Sequence, residues 1–357
     1  MAYTTIDDPS AYFHIQLYTG DGQSSKAITN DANAGDFQPD FLWIKERSST
    51  SAHLLFDSTR GTDKKVNSNT PNDAEETYAY LSSYDADGFT IGTSDGAINQ
   101  SSQTYVAWQW KANGASTTSN GASGDIKASV TQREDTAKFS ICTYTGTGIN
   151  AGQSHRVNHG LGTTPHVMLF KCRGVSGDWV VYHHKNTSAP ETDYLVLNST
   201  AATADSANKF NDTAPGVSYA TIGGDDNISS NTMLLYSFAE VQGYSKFGSY
   251  TGNADADGPF VYTGFKPAWV MVKDSSNTGA WTIFDKKRGA DMGVNDHSLK
   301  ASDTDAEYTS ENWIGFVSNG FKLEGTNDDA NGSSTYVYMA FADQPFVTSG
   351  GVPCTAR

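Results

Sequence analysis

The chain has 357 residues, with 24 Lys and Arg against 40 Asp and Glu, a formal net charge of −16. A surface this acidic repels phosphate backbones and anionic lipid, which argues against nucleic acid and membranes as partners. No apolar run approaches the ~20 residues that span a bilayer, and the polar opening Met1-Ala2-Tyr3-Thr4-Thr5-Ile6-Asp7-Asp8 lacks a signal peptide's basic and apolar regions. The expectation is a protein made in a cytoplasm, soluble there and not inserted in a membrane.

Taken in chain order, the same landmarks pass three times. Tyr18-Thr19-Gly20, Tyr144-Thr145-Gly146 and Tyr250-Thr251-Gly252 each open a stretch in which a proline precedes a lysine by six positions: Pro39 and Lys45, Pro165 and Lys171, Pro267 and Lys273. Eleven residues after each lysine stands an aromatic, Phe56, Tyr182 or Phe284. Each copy closes on a threonine and a strand-like run: Thr104 to Trp110, Thr232 to Phe238, Thr335 to Phe341. Self-similarity of this kind makes each copy one folding unit. The boundaries read as an N-terminal arm 1–12, repeat 1 at 13–112, a Gly/Ser/Thr/Asn-rich linker 113–136, repeat 2 at 137–243, repeat 3 at 244–343 and a tail 344–357.

Proline cannot donate to a ladder but is tolerated where a strand begins. The segment after it is apolar on both parities, Trp269 and Met271 with Lys273 on one face and Val270 and Val272 on the other, which describes a central strand covered on both sides. The lysine at its end reads as a rim residue, its stem over the core and its charge in water. The second apolar strand (His53 to Phe56, Trp179 to Tyr182, Trp281 to Phe284) follows at hairpin distance. Copies one and three then carry Asp-x-x-Arg-Gly (Asp57 to Gly61, Asp285 to Gly289), where the Asp would hold the turn backbone and pair with the arginine; copy two has His183-His184-Lys185-Asn186 instead. The closing strand alternates, with Val106, Trp108 and Trp110 inward and Gln109 outward, as a half-buried antiparallel strand does. The fold class expected is all-β, three tandem antiparallel β-sandwich modules of jelly-roll or immunoglobulin-like type. The long linker predicts that module one swings independently, while modules two and three, with no such spacer, dock rigidly.

Reactive chemistry is sparse. His155, His159 and His166 lie in a Gly/Asn-rich stretch with no helix to align them, and His183 and His184, adjacent on a strand end, should face opposite ways, so all read as loop or edge residues rather than metal ligands. Asp85-Ala86-Asp87-Gly88 and Asp255-Ala256-Asp257-Gly258 begin like calcium loops, but the twelfth positions are Gly96 and Lys266 where a bidentate glutamate is needed; a turn or a looser calcium site remains. There is no Gly-x-Ser-x-Gly elbow and no phosphate loop. No acid recurs in all three copies, which leaves paired carboxylates without a sequence signal. Of the three cysteines, Cys142 and Cys172 read as buried free thiols and Cys354 lies in the tail. No catalytic, cofactor-binding or metal-binding residue is assigned, and no cofactor is expected.

The opening Ala2 to Phe13, the block Phe37-Gln38-Pro39-Asp40-Phe41-Leu42-Trp43-Ile44-Lys45, the Asp57 to Gly61 turn, the run Phe238 to Gly248 and the ending Ala340 to Thr348 resemble virion structural proteins of marine tailed bacteriophages, especially cyanophages. Those proteins are tandem copies of one β-rich domain, often labelled tail-fibre or appendage proteins. The resemblance covers essentially the whole chain and implies a non-enzymatic particle protein that contacts the host surface. Its implied partners are other virion proteins of tail or capsid and a host-surface glycan or protein, in a homo-oligomer, a trimer by preference, with the arm or the tail docked to the particle. Two alternatives stand beside it: a capsid head-fibre or decoration protein, and a carbohydrate-processing enzyme with a cleft between repeats two and three.

Overall fold

The computed structural model describes residues 2–31, 35–70, 75–112, 117–119, 129–148, 155–224, 227–289, 297–310 and 313–353. The protein is all-β, with several antiparallel sheets. One strand order recurs three times in the large sheets. The opening strands Phe13–Thr19, Phe139–Thr145 and Ser245–Thr251 pair with the closing strands Thr104–Trp110, Thr232–Phe238 and Thr335–Pro345. Each closing strand pairs on its other edge with a central strand, Phe41–Glu46, Val167–Cys172 or Phe265–Asp274, and that with a hairpin strand, Leu54–Asp57, Trp179–His183 or Trp281–Asp285. Pro267 falls at a register shift in the third central strand, a position where its missing N–H is tolerated.

Both parities of the central strands are buried, as the sequence implies. One face of each large sheet covers a small sheet: in repeat 1, Leu42, Ile44, Phe56 and Ala107 meet Ile28, Leu81, Phe89 and Ile91. The other parity faces its counterparts. Phe41, Trp43 and Trp108, Leu169, Tyr236 and Phe238, and Trp269, Met271 and Phe341 belong to one core that runs through all three repeats. Aromatic pairs cross every boundary within it, with ring centroids 4.3 Å apart for Phe41 and Tyr236, 5.3 Å for Phe13 and Phe341 and 5.9 Å for Phe238 and Phe341. Each such fully buried ring contributes ~1.5–3 kcal/mol. Because both faces of the closing strand are covered, Gln109 and Ser237 are fully buried rather than half-exposed.

The expected swinging first module is therefore corrected. Repeat 1 shares its inner face with both others. The linker 113–136 is corrected where the structure describes it, residues 113–116 and 120–128 lying outside the described residues: Ser129–Glu134 is a strand on the open edge of the second opening strand, Thr117–Ser119 pairs with it, and the Gln132 amide oxygen accepts a 2.9 Å bond from Ser58 Oγ of repeat 1. The arm packs on the body of the molecule. Ile6 is in the shared core, Tyr3 OH donates to the Gly264 carbonyl at 2.7 Å, and Asp7 accepts from the Ser349 backbone of the tail.

The Tyr-Thr-Gly signposts dock on a buried asparagine from the turn before the closing strand. The residue after each glycine sends its N–H to Asn99, Asn227 or Asn331 (3.0, 2.9 and 3.0 Å). A Cβ on Gly20, Gly146 or Gly252 would come within 2.1 to 2.2 Å of a backbone oxygen, so only glycine fits. Lys45, Lys171 and Lys273 are not rim residues: all are at most 1% exposed. Lys45 and Lys273 donate to the carbonyls of Glu46 (2.6 Å) and Asp274 (2.7 Å), and burial pushes both ammonium groups down to about 8.

A core shared by three repeats predicts a single calorimetric unfolding transition for the whole chain. A separate transition for residues 13–112 would contradict it.

Candidate functional site

The Asp-x-x-Arg side chains and the His183-His184 pair singled out from sequence gather at the seams between repeats. Asp57 accepts from the Arg60 backbone (2.9 Å) and guanidinium (2.5 Å), the turn contact the motif predicts, but the pair also reaches into repeat 2. Tyr236 OH donates to Asp57 at 2.7 Å, and Glu75 is held by Arg60 (3.1 Å) and by Arg173 (2.7 Å) of repeat 2. The seam from repeat 3 to repeat 1 repeats this. Asp285 pairs with Arg288 at 2.5 Å and accepts from Trp108 Nε1 at 2.9 Å, while Glu307 is held by Arg288 (3.0 Å) and by Arg47 (2.7 Å). Burial works against the charge of Arg60, but Asp57, Tyr236 and Glu75 outweigh it and hold the guanidinium above its ordinary value.

A matching backbone bond marks every seam: Glu75 N to Arg173 O (2.8 Å), Thr203 N to Ser275 O (3.0 Å) and Glu307 N to Arg47 O (2.9 Å). The contacts thus run from repeat 1 to 2, 2 to 3 and 3 to 1, a heterologous set that closes into a ring within one chain.

At the seam between repeats 2 and 3 every charged member is replaced. His183 stands where Asp57 and Asp285 stand, Asn186 for the arginines, Thr203 for the glutamates, Ser275 for Arg47 and Arg173, and Met339 for Trp108 and Tyr236. His183 donates from Nε2 to the Tyr338 carbonyl (3.1 Å) while Nδ1 accepts from Lys185 N, and Thr203 Oγ1 donates to Asn186 at 2.7 Å. His184 does not turn away, as strand parity implied. It leaves the strand, donates to the Phe247 carbonyl at 2.6 Å and stacks edge-on against His166, centroids 4.5 Å apart. Burial pushes His183 down to about 3 and His184 down to about 4, the Tyr338 and Phe247 carbonyls opposing it.

The same seam opens into a cleft of about 470 Å³ lined by Tyr3, His166, Glu240, Gln242, Ser245, Lys246, Tyr262, Thr263 and Gly264. Glu240, the one carboxylate among these residues, is tied to Lys246 Nζ (2.8 Å) and to the Phe247 N–H (3.0 Å), and its own N–H donates to His166 Nδ1 (3.1 Å). Glycoside cleavage by the usual route needs two carboxyl groups flanking the bond. This cleft offers shape and polar contacts instead.

The remaining singled-out residues lie elsewhere. His159 is buried, its Nε2 at 3.1 Å from the Gly216 carbonyl; His155 opens a strand, with its side chain outside the described residues. Asp85, at the end of the strand Leu81–Asp85, accepts from Ser83 of that strand and Thr90 of the paired strand Gly88–Ile91, and Asp255 accepts from the Asp257 N–H within a local bend. Cys142 and Cys172 are buried free thiols in one cluster, and Cys354 falls outside the described residues. Among the described residues no group of three His, Cys, Asp or Glu could hold a metal ion, and no helix is long and apolar enough to cross a membrane.

The two kinds of seam differ in what breaks them. Arg288 is fully buried, so Arg288→Met, which strands the Asp285 carboxylate and leaves Glu307 to Arg47 alone, is expected to cost about 3–5 kcal/mol in a denaturant titration. Lys26→Ala, which removes the surface partner of Asp21, should leave the denaturation midpoint nearly unchanged. At the histidine seam the folded pKa values lie below the unfolded value of ~6.5, so the unfolded chain binds more protons and stability falls with acidification. The contribution is complete above ~6.5 and is lost as the pH drops toward the folded values of about 4 and 3. Lys185 and Lys246 face these rings and oppose protonation, while Glu240 favours it. A His183→Gln/His184→Gln variant should lose less thermal stability than wild type between pH 6.5 and 4.5; equal losses would refute the assignment.

No curated protein and no solved structure matches the chain. Residues 8–345 match the model of a family described only as a domain of unknown function, DUF7483, and the chain belongs to that family.

Proposed function

We propose that the chain is a non-enzymatic virion structural protein of a tailed bacteriophage, of tail-fibre or appendage type, displaying three two-layer β-sandwich modules for contact with a host surface. The observation that carries this reading is where the buried charge goes. Arg60, Arg288, Asp57, Asp285, Glu75 and Glu307 hold one repeat against the next, and the cleft at the third seam is lined by a single, already paired carboxylate. A ring held by buried ion pairs at two seams, by hydrogen bonds at the third and by a shared aromatic core is a rigid platform, and rigid platforms suit display of surface loops. The resemblance of the opening, the Phe37 to Lys45 block and the ending to phage particle proteins supports the same reading. The three-part arrangement expected of a homotrimer is supplied here by three repeats of one chain, so a single copy can occupy a threefold position. The partners in this proposal are neighbouring virion proteins and a host-surface molecule.

Mass spectrometry of gradient-purified particles, with immunogold labelling of the chain, tests the proposal. The chain is expected in the particles, with label on the tail or an appendage. Its absence would overturn the reading, and label spread over the head would replace it with capsid decoration.

A further inference from the structure

We propose that the outward face of the Phe260–Tyr262 strand, together with Tyr3 and the adjoining cleft, is a binding site for a pyranose saccharide. The strand Phe260–Tyr262 pairs with Gly320–Leu323, placing Val261 opposite Phe321; in repeat 1 Ile28 lies opposite Phe89, and in repeat 2 Val157 lies opposite Ala220. Those three inward positions are all buried and apolar, as the core requires. The outward neighbours differ: Ala27 and Thr29 in repeat 1, Arg156 and Asn158 in repeat 2, Phe260 and Tyr262 in repeat 3. The fold is therefore satisfied by small or polar residues there. Repeat 3 alone puts two aromatic rings on that face, 48% and 55% exposed.

The rings stand beside polar groups. Tyr262 lines the cleft with Gln242, Glu240, Lys246 and Thr263, and the Tyr3 hydroxyl lies 3.4 Å from that of Tyr262. Tyr3 is held there by its bond to the Gly264 carbonyl, and Gly264 sits at φ +84°, with a would-be Cβ only 2.8 Å from the Tyr3 hydroxyl. Any side chain at 264 would displace the tyrosine. Exposed aromatic faces with an amide and charged groups at their edge match a sugar ring, which offers an apolar face of axial C–H groups and a rim of hydroxyls. A lipid or an apolar peptide has no hydroxyls to meet the polar rim that Glu240, Gln242 and Lys246 form beside the ring.

This inference rests on the reading of a surface-contact protein and names its ligand class. Its test uses the full chain on an array of bacterial O-antigen and capsular polysaccharides, with chitotetraose and cellotetraose as defined probes, followed by calorimetric titration of each hit. Wild type is expected to bind at least one glycan. Tyr262→Ala should weaken binding roughly five- to tenfold, the worth of one ring contact, while Tyr262→Phe stays within about twofold. Tyr78→Ala, at an exposed tyrosine of repeat 1, should bind as wild type. Because Tyr262 is half-exposed, a melting curve confirms that each variant is folded. Retention of no glycan, or binding unchanged by Tyr262→Ala, overturns the proposal. Particle association is read separately, so loss of this inference leaves the virion assignment standing, and the reverse.

Discussion

Two guanidinium groups withdrawn from water constrain this molecule more than any other feature. Arg60 and Arg288 are buried at the boundary between repeats, and a buried charge is tolerated only with partners on every side. Each has a carboxylate from its own turn and a second acid that an arginine of the next repeat also grips. The shared aromatic core supplies the larger driving force, but hydrophobic burial has no direction. The ion pairs set which surface of one repeat meets which surface of the next at two seams, and a neutral hydrogen-bonded set at the third lets the ring close.

The third seam shows the same rule from the other side. Removing one member of a buried ionic set leaves the rest uncompensated, so the members change together, and His183, Asn186, Thr203, Ser275 and Met339 form a neutral set in place of a charged one. Neutral imidazoles bonded to backbone carbonyls keep the seam shut with less charge. The cleft opens at this same seam, between the docked arm and the edge of repeat 3, next to the two exposed rings that the fold does not need.

Much of the strand content was legible in the residues. The two-sided apolar segment ending at Lys45 or Lys273 reads as a central strand and is one, and the parity that groups Trp269 with Met271 against Val270 with Val272 divides two cores. Less legible was what lay against the inward parity. A pattern of buried positions says that something covers them and not what, so Phe41 looked like the inside of one module when it faces Tyr236 of the next. The lysines misled for a related reason. A long stem beside a core suggests a charge reaching water, unless carbonyls at the strand's own end take up the ammonium inside the fold, as those of Glu46 and Asp274 do. Asn99, Asn227 and Asn331 escaped notice because they precede the closing strand at positions that read as turn, although their recurrence with the Tyr-Thr-Gly triplet was available as a signal.

The chain by itself determined three copies of one β unit, their strands, turns and inward faces, because period and turn chemistry are local properties. Only the tertiary structure decided that the copies close on one another, that 129–134 is a strand rather than a tether, that Asp-x-x-Arg bridges repeats as well as turning the chain, and that His166, His183 and His184 meet. Closure and bridging depend on residues far apart in the chain, as Asp57 and Tyr236 are (|i−j| = 179), and a contact at such separation leaves no periodic trace in a single sequence. Strand 129–134 and the histidine contact form over much shorter spans, but against partners, 139–143 and His166, that no periodicity singles out.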